Sequence, residues 1–353
     1  MERRGSVSRG RGERTSKHAS LVRHVFGPVP SRRLSRSLGI DPVPFKTCTF
    51  DCIYCQLGRT TQKTVERKEY VPCEVVVKEL RDYLSNAPPF DFVTFSGSGE
   101  PTLNKALGKM ISAVRELTEA QIAVLTNGSL LFDERVAEDL SGADVVLPSL
   151  DAAFEEIFRR VNRPHESISL QKLVEGLKKF RKRFKGEIWV EVMLLSGVND
   201  GEEHLLALAR LLREVNAEKV QLNTPVRPSP ERCAALSESG LERALKLFLE
   251  EGVPAEIIPS VPSIPTIPNA SASSTTDAFT AKEQVRGVRG VEWERKKSEV
   301  QALLSRRPCT VEEISTSLGL NVSEVVKYLR ILESEGKLRM RKHGERTFFA
   351  VIR

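Results

Sequence analysis

Three cysteines, Cys48, Cys52 and Cys55, stand at x3 and x2 spacings. Spacers this short let three thiolates converge on neighbouring corners of one small iron–sulfur cluster. Three ligands on a four-iron cube leave one iron without a protein ligand, and an open metal position is what separates catalytic from closed metal sites. Cys73, the next cysteine along the chain, has no motif around it. Zinc completed by a distant histidine is the alternative reading at this point, although zinc sites usually come as paired C-x2-C units and no second pair exists here. Cys73, Cys233 and Cys309 read as isolated small buried or half-buried residues.

A second string, Phe95-Ser-Gly97-Ser-Gly99-Glu100-Pro101-Thr102, follows the apolar run Phe92–Ser96. Glycines there let backbone groups approach a ligand closely, and a carboxylate can accept from an ammonium. Taken alone, such a loop is more often a plain turn. Two further apolar runs end in polar residues, Thr126-Asn127-Gly128-Ser129 and Ser149-Leu-Asp151. Ligands gather at the carboxyl ends of parallel strands, so Asn127, Ser149 and Asp151 are candidates there, with turn and cap roles as the alternative.

The cysteine string, with Tyr54 before its third cysteine, resembles the signature of the radical S-adenosylmethionine (SAM) superfamily. The segments Phe26–Leu34 and Cys55–Thr60 resemble a narrower prokaryotic group related to the wyosine-forming tRNA synthases, and the likeness runs from Phe26 to Pro259. The resemblance implies a [4Fe–4S] cluster on Cys48, Cys52 and Cys55, with S-adenosyl-L-methionine chelating the open iron. An external electron donor of flavodoxin or ferredoxin type would then drive cleavage to a 5′-deoxyadenosyl radical that takes a hydrogen atom from a substrate. It further implies that Gly97, Gly99, Glu100 and Thr102 correspond to the glycine–glycine–glutamate motif holding the methionine end of SAM, with Ser98 in place of one glycine. Tyr54, Asn127, Ser149 and Asp151 would be further SAM contacts. Arg163, Asn223 and Arg227 would line the substrate cavity or hold the SAM carboxylate, and Asn199 is a weaker candidate. The wyosine synthases carry extra upstream cysteines for a second cluster; none precedes Cys48 here, so that reaction itself is not expected.

These residues must be positioned by regular elements. Strand-like runs at Phe92–Ser96, Ile122–Thr126, Val145–Ser149, Ile188–Leu194, Val220–Leu222 and Ala255–Ile258 alternate with helix-like segments. That pattern predicts an α/β fold with a parallel sheet, as a full or partial (β/α) barrel or, alternatively, an open doubly wound sheet. The predicted domains are a disordered basic tail over 1–20, the barrel over 21–258, a Pro/Ser-rich linker over 259–290, and a small winged helix-turn-helix over 291–353. In the last, Thr310 with Glu313 and Asn321 with Glu324 read as capping boxes, and His343-Gly344-Glu345 as the turn of the wing.

The net charge of +7 is concentrated at the two ends of the 353-residue chain. Lys327, Tyr328, Arg330 and the basic wing residues suit phosphates, so RNA or DNA is an expected partner. No apolar run is long enough for a membrane span and no secretory leader is seen, so no membrane partner and a cytoplasmic location are expected. An enzyme modifying RNA, possessing a winged helix for binding it, is the first functional reading. A radical SAM enzyme acting on a protein or small molecule is the second. A redox-sensing DNA-binding regulator is the third, and it leaves the Glu100 loop unexplained.

Overall fold

The structure is a computed structural model describing residues 24–85, 87–229, 231, 233–259 and 284–352. The predicted tail, and the linker up to residue 283, lie outside the described residues. Ten strands and seven helices precede the linker: β1 (Val25–Ser31), β2 (Ser35–Ile40), β3 (Thr47–Cys48), β4 (Gln62–Lys63), α1 (Cys73–Leu84), β5 (Phe92–Phe95), α2 (Leu107–Leu117), β6 (Gln121–Thr126), α3 (Glu134–Leu140), β7 (Val145–Pro148), α4 (Glu155–Asn162), α5 (Leu170–Arg183), β8 (Glu187–Met193), α6 (Glu202–Val215), β9 (Lys219–Asn223), α7 (Glu238–Glu250) and β10 (Ala255–Ile257). After it come α8 (Gln284–Arg306), α9 (Val311–Leu318), α10 (Val322–Ser334), β11 (Leu338–His343) and β12 (Arg346–Val351).

One sheet runs in the order β1-β2-β5-β6-β7-β8-β9-β10. β1 pairs antiparallel with β2, and every later neighbour is parallel. Among the described residues β1 and β10 do not pair with each other, so the sheet is a partial barrel.

The two faces of the strands have different chemistry because successive side chains point oppositely. On β8, Ile188, Val190 and Val192 are buried among the helices, while Trp189, Glu191 and Met193 face the other way and are half-buried. Val93, Phe95, Ile122, Val124, Val146, Val220 and Leu222 join the helix-facing core. A smaller cluster of Leu34, Phe92, Ala123, Val145 and Leu147 fills the base of the concave face. Helix-forming apolar residues therefore pack on one face only, which distinguishes a barrel-like sheet from a doubly wound one.

The second core belongs to the winged helix. Val300, Leu303 and Leu304 of α8, Ile314 of α9, and Val325, Tyr328, Leu329 and Leu332 of α10 are buried together. Both capping boxes form as the sequence predicts, and Gly319 closes α9 in the left-handed conformation. β11 and β12 make the wing hairpin, extended by Cys309, whose backbone exchanges two hydrogen bonds with Phe349. Helix α8 opens at Gln284, inside the stretch read as linker.

This second unit does not stand apart. Val29 of β1 is buried in its core and Phe26 packs against it, with the Arg306 guanidinium 4.4 Å from the Phe26 ring centre. Burying a valine of that kind stabilises the contact by roughly 1.5–3 kcal/mol. The hairpin β1–β2 is thus shared between barrel and winged helix.

Candidate active site

A cavity of about 390 Å³ opens at the carboxyl ends of the parallel strands. Cys48 and Cys55, Tyr54, Gly97, Gly99, Glu100, Asn127 and Ser149 all line it. Cys52, Thr102 and Asp151 do not; each stands behind a residue that does.

The cysteine loop is held from several sides. Ile53 N–H donates to Val161 O at 3.0 Å, Asp51 N–H to Asn162 O at 3.0 Å, and His165 N–H to Thr49 O at 2.8 Å, so the end of α4 braces it. Each thiol has a nitrogen donor beside it: Asn127 Nδ2 lies 3.5 Å from Cys48, Asn162 Nδ2 3.6 Å from Cys52, and Lys46 Nζ 3.1 Å from Cys55. The thiols also sit close enough for Cys48 and Cys55 each to oppose ionisation of Cys52. Burial above all, then Glu100, pushes the Cys48 thiol up to about 12. Burial likewise raises Cys52 well above the ordinary thiol value, with Asp151 adding to it. Uncharged by themselves, such thiols ionise when a cation binds them. Among the described residues no three His, Cys, Asp or Glu side chains close on a single metal ion. Three neighbouring sulfurs with N–H donors around them fit a cluster, whose sulfur ligands are tuned by such hydrogen bonds.

The glycine loop explains why it needs its glycines. Gly97 has φ +132°, and a Cβ there would stand 2.6 Å from the Asp41 carboxyl carbon. At Gly99 a Cβ would lie 1.8 Å from the Thr47 carbonyl oxygen, one residue before Cys48. Only a hydrogen fits between the two loops. Ser98, the departure from the family pattern, donates from its N–H (3.1 Å) and its hydroxyl to the buried Asp41 carboxylate. Burial raises the Asp41 pKa, against the pull of Ser98 and Arg306.

Glu100 is 2% exposed and ties two strand ends together. Its Oε1 accepts from Thr102 N–H (3.0 Å), Thr102 Oγ1 (2.6 Å) and Thr126 Oγ1 (2.6 Å), and its Oε2 from Asn127 N–H (2.7 Å). Burial raises its pKa while these donors pull it down. Thr102 therefore acts on the cavity through Glu100. Oε2, with a single partner, retains the capacity to accept from a ligand.

Asp151 is buried behind Tyr54. It accepts from Tyr54 Oη (2.6 Å), Asn162 Nδ2 (2.6 Å) and Met193 N–H (2.8 Å), and burial pushes its carboxyl up to about 6. Asn199 lies deeper, donating to the Asp151 and Met193 carbonyls at 2.9 and 2.8 Å. Arg163 is outside the cavity lining, paired with Glu231 at 2.9 Å. Asn223 and Arg227 line the cavity. Lys46 and Asp41 escaped the sequence reading, and Asn162 belongs to the string Asn162-Arg163-Pro164-His165 in which only Arg163 stands out as a candidate; nothing in the sequence tells which neighbours turn toward sulfur.

One part of the remaining cavity wall is basic and comes from both cores. Arg32 and Arg33, from the turn between β1 and β2, face it together with Arg227 and with Arg306 and Arg307 at the end of α8. On the outer side of the winged helix, Lys327 and Arg330 are exposed on α10, as are Arg339, Arg341, Lys342 and Arg346 on the wing. Tyr328 is not: it is 1% exposed and packs on Trp293, with ring centres 4.4 Å apart, which withdraws it from the predicted phosphate-facing set. No helix among the described residues is long and apolar enough to cross a membrane.

Comparison with known proteins matches residues 43–209 to the radical SAM superfamily and residues 296–336 to the bacterial regulatory protein arsR family. A UPF0026 protein of Helicobacter pylori is 32% identical over 332 residues, covering 93% of this chain and 97% of its own. A Brachyspira hyodysenteriae relative named GTPase Obg is 37% identical over 90% of this chain, which spans only 44% of that protein's length. The dual-specificity RNA methyltransferase RlmN of Oleidesulfovibrio alaskensis is 27% identical over 212 residues, 56% of each chain. Among solved structures, a radical SAM methyltransferase from Sphaerobacter thermophilus shares the fold with a TM-score of 0.51 at 19% identity, covering 63% of this chain and 65% of that one. Radical SAM enzymes use a [4Fe–4S] cluster and SAM. The chain belongs to the UPF0026 family, a radical SAM enzyme family, and carries an ArsR-type helix-turn-helix after its barrel.

Proposed function

We propose that Cys48, Cys52 and Cys55 hold a [4Fe–4S] cluster, that SAM binds beside it in the 390 Å³ cavity, and that the enzyme abstracts hydrogen from an RNA substrate. The observation that carries this reading is the meeting of Cys48, Cys55, Gly97, Gly99, Glu100, Asn127 and Ser149 on one cavity from four separate loops. When bound, the cluster and SAM supply the electron transfer and the radical chemistry.

The chain's own residues orient and seal. Lys46, Asn127 and Asn162 place nitrogen donors beside the three sulfurs. The Gly97–Gly99 backbone and Glu100 Oε2 offer the methionine ammonium its acceptors, with Thr102 and Thr126 fixing the carboxylate. Asn127 and Ser149 offer polar contacts to the remainder of SAM, and Asp151 acts through Tyr54. The basic surface of α10 and the wing suits nucleic acid, and the RlmN likeness favours RNA over DNA. An electron donor of flavodoxin or ferredoxin type, and a cytoplasmic setting that keeps thiols reduced, complete the reading.

Anaerobically reconstituted, reduced protein is expected to convert SAM to 5′-deoxyadenosine and methionine, and Cys52→Ala to lose both the four-iron absorbance and this conversion. Full conversion by Cys52→Ala would remove the cluster from the account. RNA co-purifying with anaerobically isolated protein, sequenced, tests the substrate; duplex DNA recovered instead would overturn the RNA assignment.

A further inference from the structure

The basic end of the cavity has more positive charge than the protein itself neutralises. Arg33 forms an ion pair with Glu191, and Arg227 pairs with Glu313 at 2.5 Å. Arg306, next along α8, is offset by Asp41 and Glu79. Arg32 and Arg307 are left. Among the described residues Arg32 donates to the neutral Asn223 Oδ1 at 2.9 Å and has no carboxylate at ion-pair distance. Arg307 has Glu313 within its electrostatic reach, yet its Nε and Nη2 are buried without a hydrogen-bond partner.

Four guanidiniums, Arg32, Arg33, Arg227 and Arg307, thus share two carboxylates, Glu191 and Glu313. The crowding is felt at Arg32, whose pKa falls to about 10, first through burial and then through Arg33 and Arg227. Buried donors without acceptors are destabilising, and an unpaired buried charge is more so. An anion entering the cavity relieves both. A carboxylate occupies one guanidinium fork. A phosphate group, with several terminal oxygens and up to two charges, matches two surplus cations and the free donors of Arg307.

We propose that Arg32 and Arg307 form a subsite for a phosphate group of the substrate, so that the winged-helix unit supplies part of the active site as well as an outer surface. This rests on the radical SAM reading above and narrows its substrate to a phosphate-bearing one. The subsite is built only when the end of α8 lies against the β1–β2 hairpin, as Val29 and Phe26 hold it.

The test is calorimetric titration of the anaerobically reconstituted full chain, saturated with SAM, using inorganic phosphate and the dinucleotide ApA as probes. At least one probe is expected to bind, and Arg32→Gln and Arg307→Gln each to weaken it at least tenfold. Arg183→Gln, on the surface beside Glu134, is expected to match the wild type. Arg307→Lys keeps the charge without the fork and should fall between; it decides the matter if Arg307→Gln fails to fold. Tighter binding of ApA points to a phosphodiester of a polynucleotide, and tighter binding of phosphate to a phosphomonoester. The proposal is overturned if neither probe binds the SAM-saturated protein, if the arginine variants bind as the wild type does, or if a probe binds only before SAM is added, which would make these arginines holders of the SAM carboxylate. Formation of 5′-deoxyadenosine by the same wild-type sample is read separately, so loss of the radical SAM reading and loss of the phosphate subsite are distinguishable.

Discussion

Arg227, just past β9 of the barrel, and Glu313, in the capping box of α9, form an ion pair at 2.5 Å with side chains only 12% and 16% exposed. The same arginine donates from Nε to the Pro308 carbonyl at 3.0 Å, so it clamps the turn between α8 and α9. A residue that caps a helix in one unit therefore also fastens that unit to the other.

The pair has a pH signature. Burial raises the Glu313 pKa, but Arg227 and Arg307 outweigh it and hold the carboxyl below its ordinary value of 4.5. A depressed folded-state pKa contributes stability that is present above 4.5 and lost as pH falls through the folded value. Glu313→Gln keeps a capping-box side chain and removes the charge. It is expected to cost about 2 kcal/mol at neutral pH, less than the 3–5 kcal/mol of a fully buried pair. Its thermal midpoint should then vary less than the wild type's between pH 6 and 3.5. Parallel calorimetric profiles for the two proteins would show that the pair contributes nothing.

Gly99→Ala places a methyl group where the Thr47 carbonyl oxygen already stands. The obstacle is backbone, so the cysteine loop must shift rather than a flexible side chain. Iron content after reconstitution is expected to fall by at least half and 5′-deoxyadenosine formation at least tenfold. Gly201→Ala, where nothing lies within 4 Å, provides the comparison and should retain both. Equal iron and turnover in the two variants would mean that the close approach of the loops does not position the cluster.

The sequence made the parallel strands and their helices legible because β5, β6 and β7 are nearly continuous apolar runs and β8 and β9 keep an apolar residue at every second position, on the face that the helices cover. It did not reveal the hairpin β1–β2, whose strand Val25–Ser31 contains Gly27, Pro28 and Pro30, residues that argue against a central strand. That hairpin sits at the sheet edge, where proline is tolerated, and there it takes on the contact with the winged helix. The short helix α4 was also missed: with two glutamates and two arginines in eight residues it shows little beyond Phe158 and Val161 to mark a buried face. In the cavity, Cys48, Gly97, Gly99, Glu100, Asn127 and Ser149 could be listed from motifs and strand ends. Arg306 and Arg307 could not, since their place in the site follows from docking of α8, which no local pattern encodes.

Tyr54→Phe keeps the ring and removes the hydroxyl that donates to Asp151 at 2.6 Å. Asp151 would keep Asn162 and Met193 as donors but lose its third, in a fully buried position. Leaving that carboxylate under-satisfied is expected to cost about 1–3 kcal/mol, or roughly 2–4 °C in melting temperature for each kcal/mol in a unit of this size. An unchanged midpoint would show that solvent replaces the phenol, and that Tyr54 does not stiffen the cysteine loop through Asp151.

Lys327 and Arg330 are exposed on α10 while its opposite face, Val325, Tyr328, Leu329 and Leu332, is spent on the second core. The helix thus has one surface free to meet a partner, and Lys327 and Arg330 stand on it together with Ser323, Glu333 and Ser334. Each phosphate contact releases counterions and adds close to one to the slope of log affinity against log salt concentration, somewhat less for single strands. The double variant Lys327→Ala/Arg330→Ala is therefore expected to bind tRNA at least tenfold more weakly at 0.1 M salt and to lower the slope by about 1.5 to 2. Filter binding over a series of salt concentrations measures both. A weaker affinity with an unchanged slope would mean that these side chains act through folding of the winged helix, and an unchanged affinity would move the nucleic-acid surface to the wing, where Arg339, Arg341, Lys342 and Arg346 offer the remaining exposed charge.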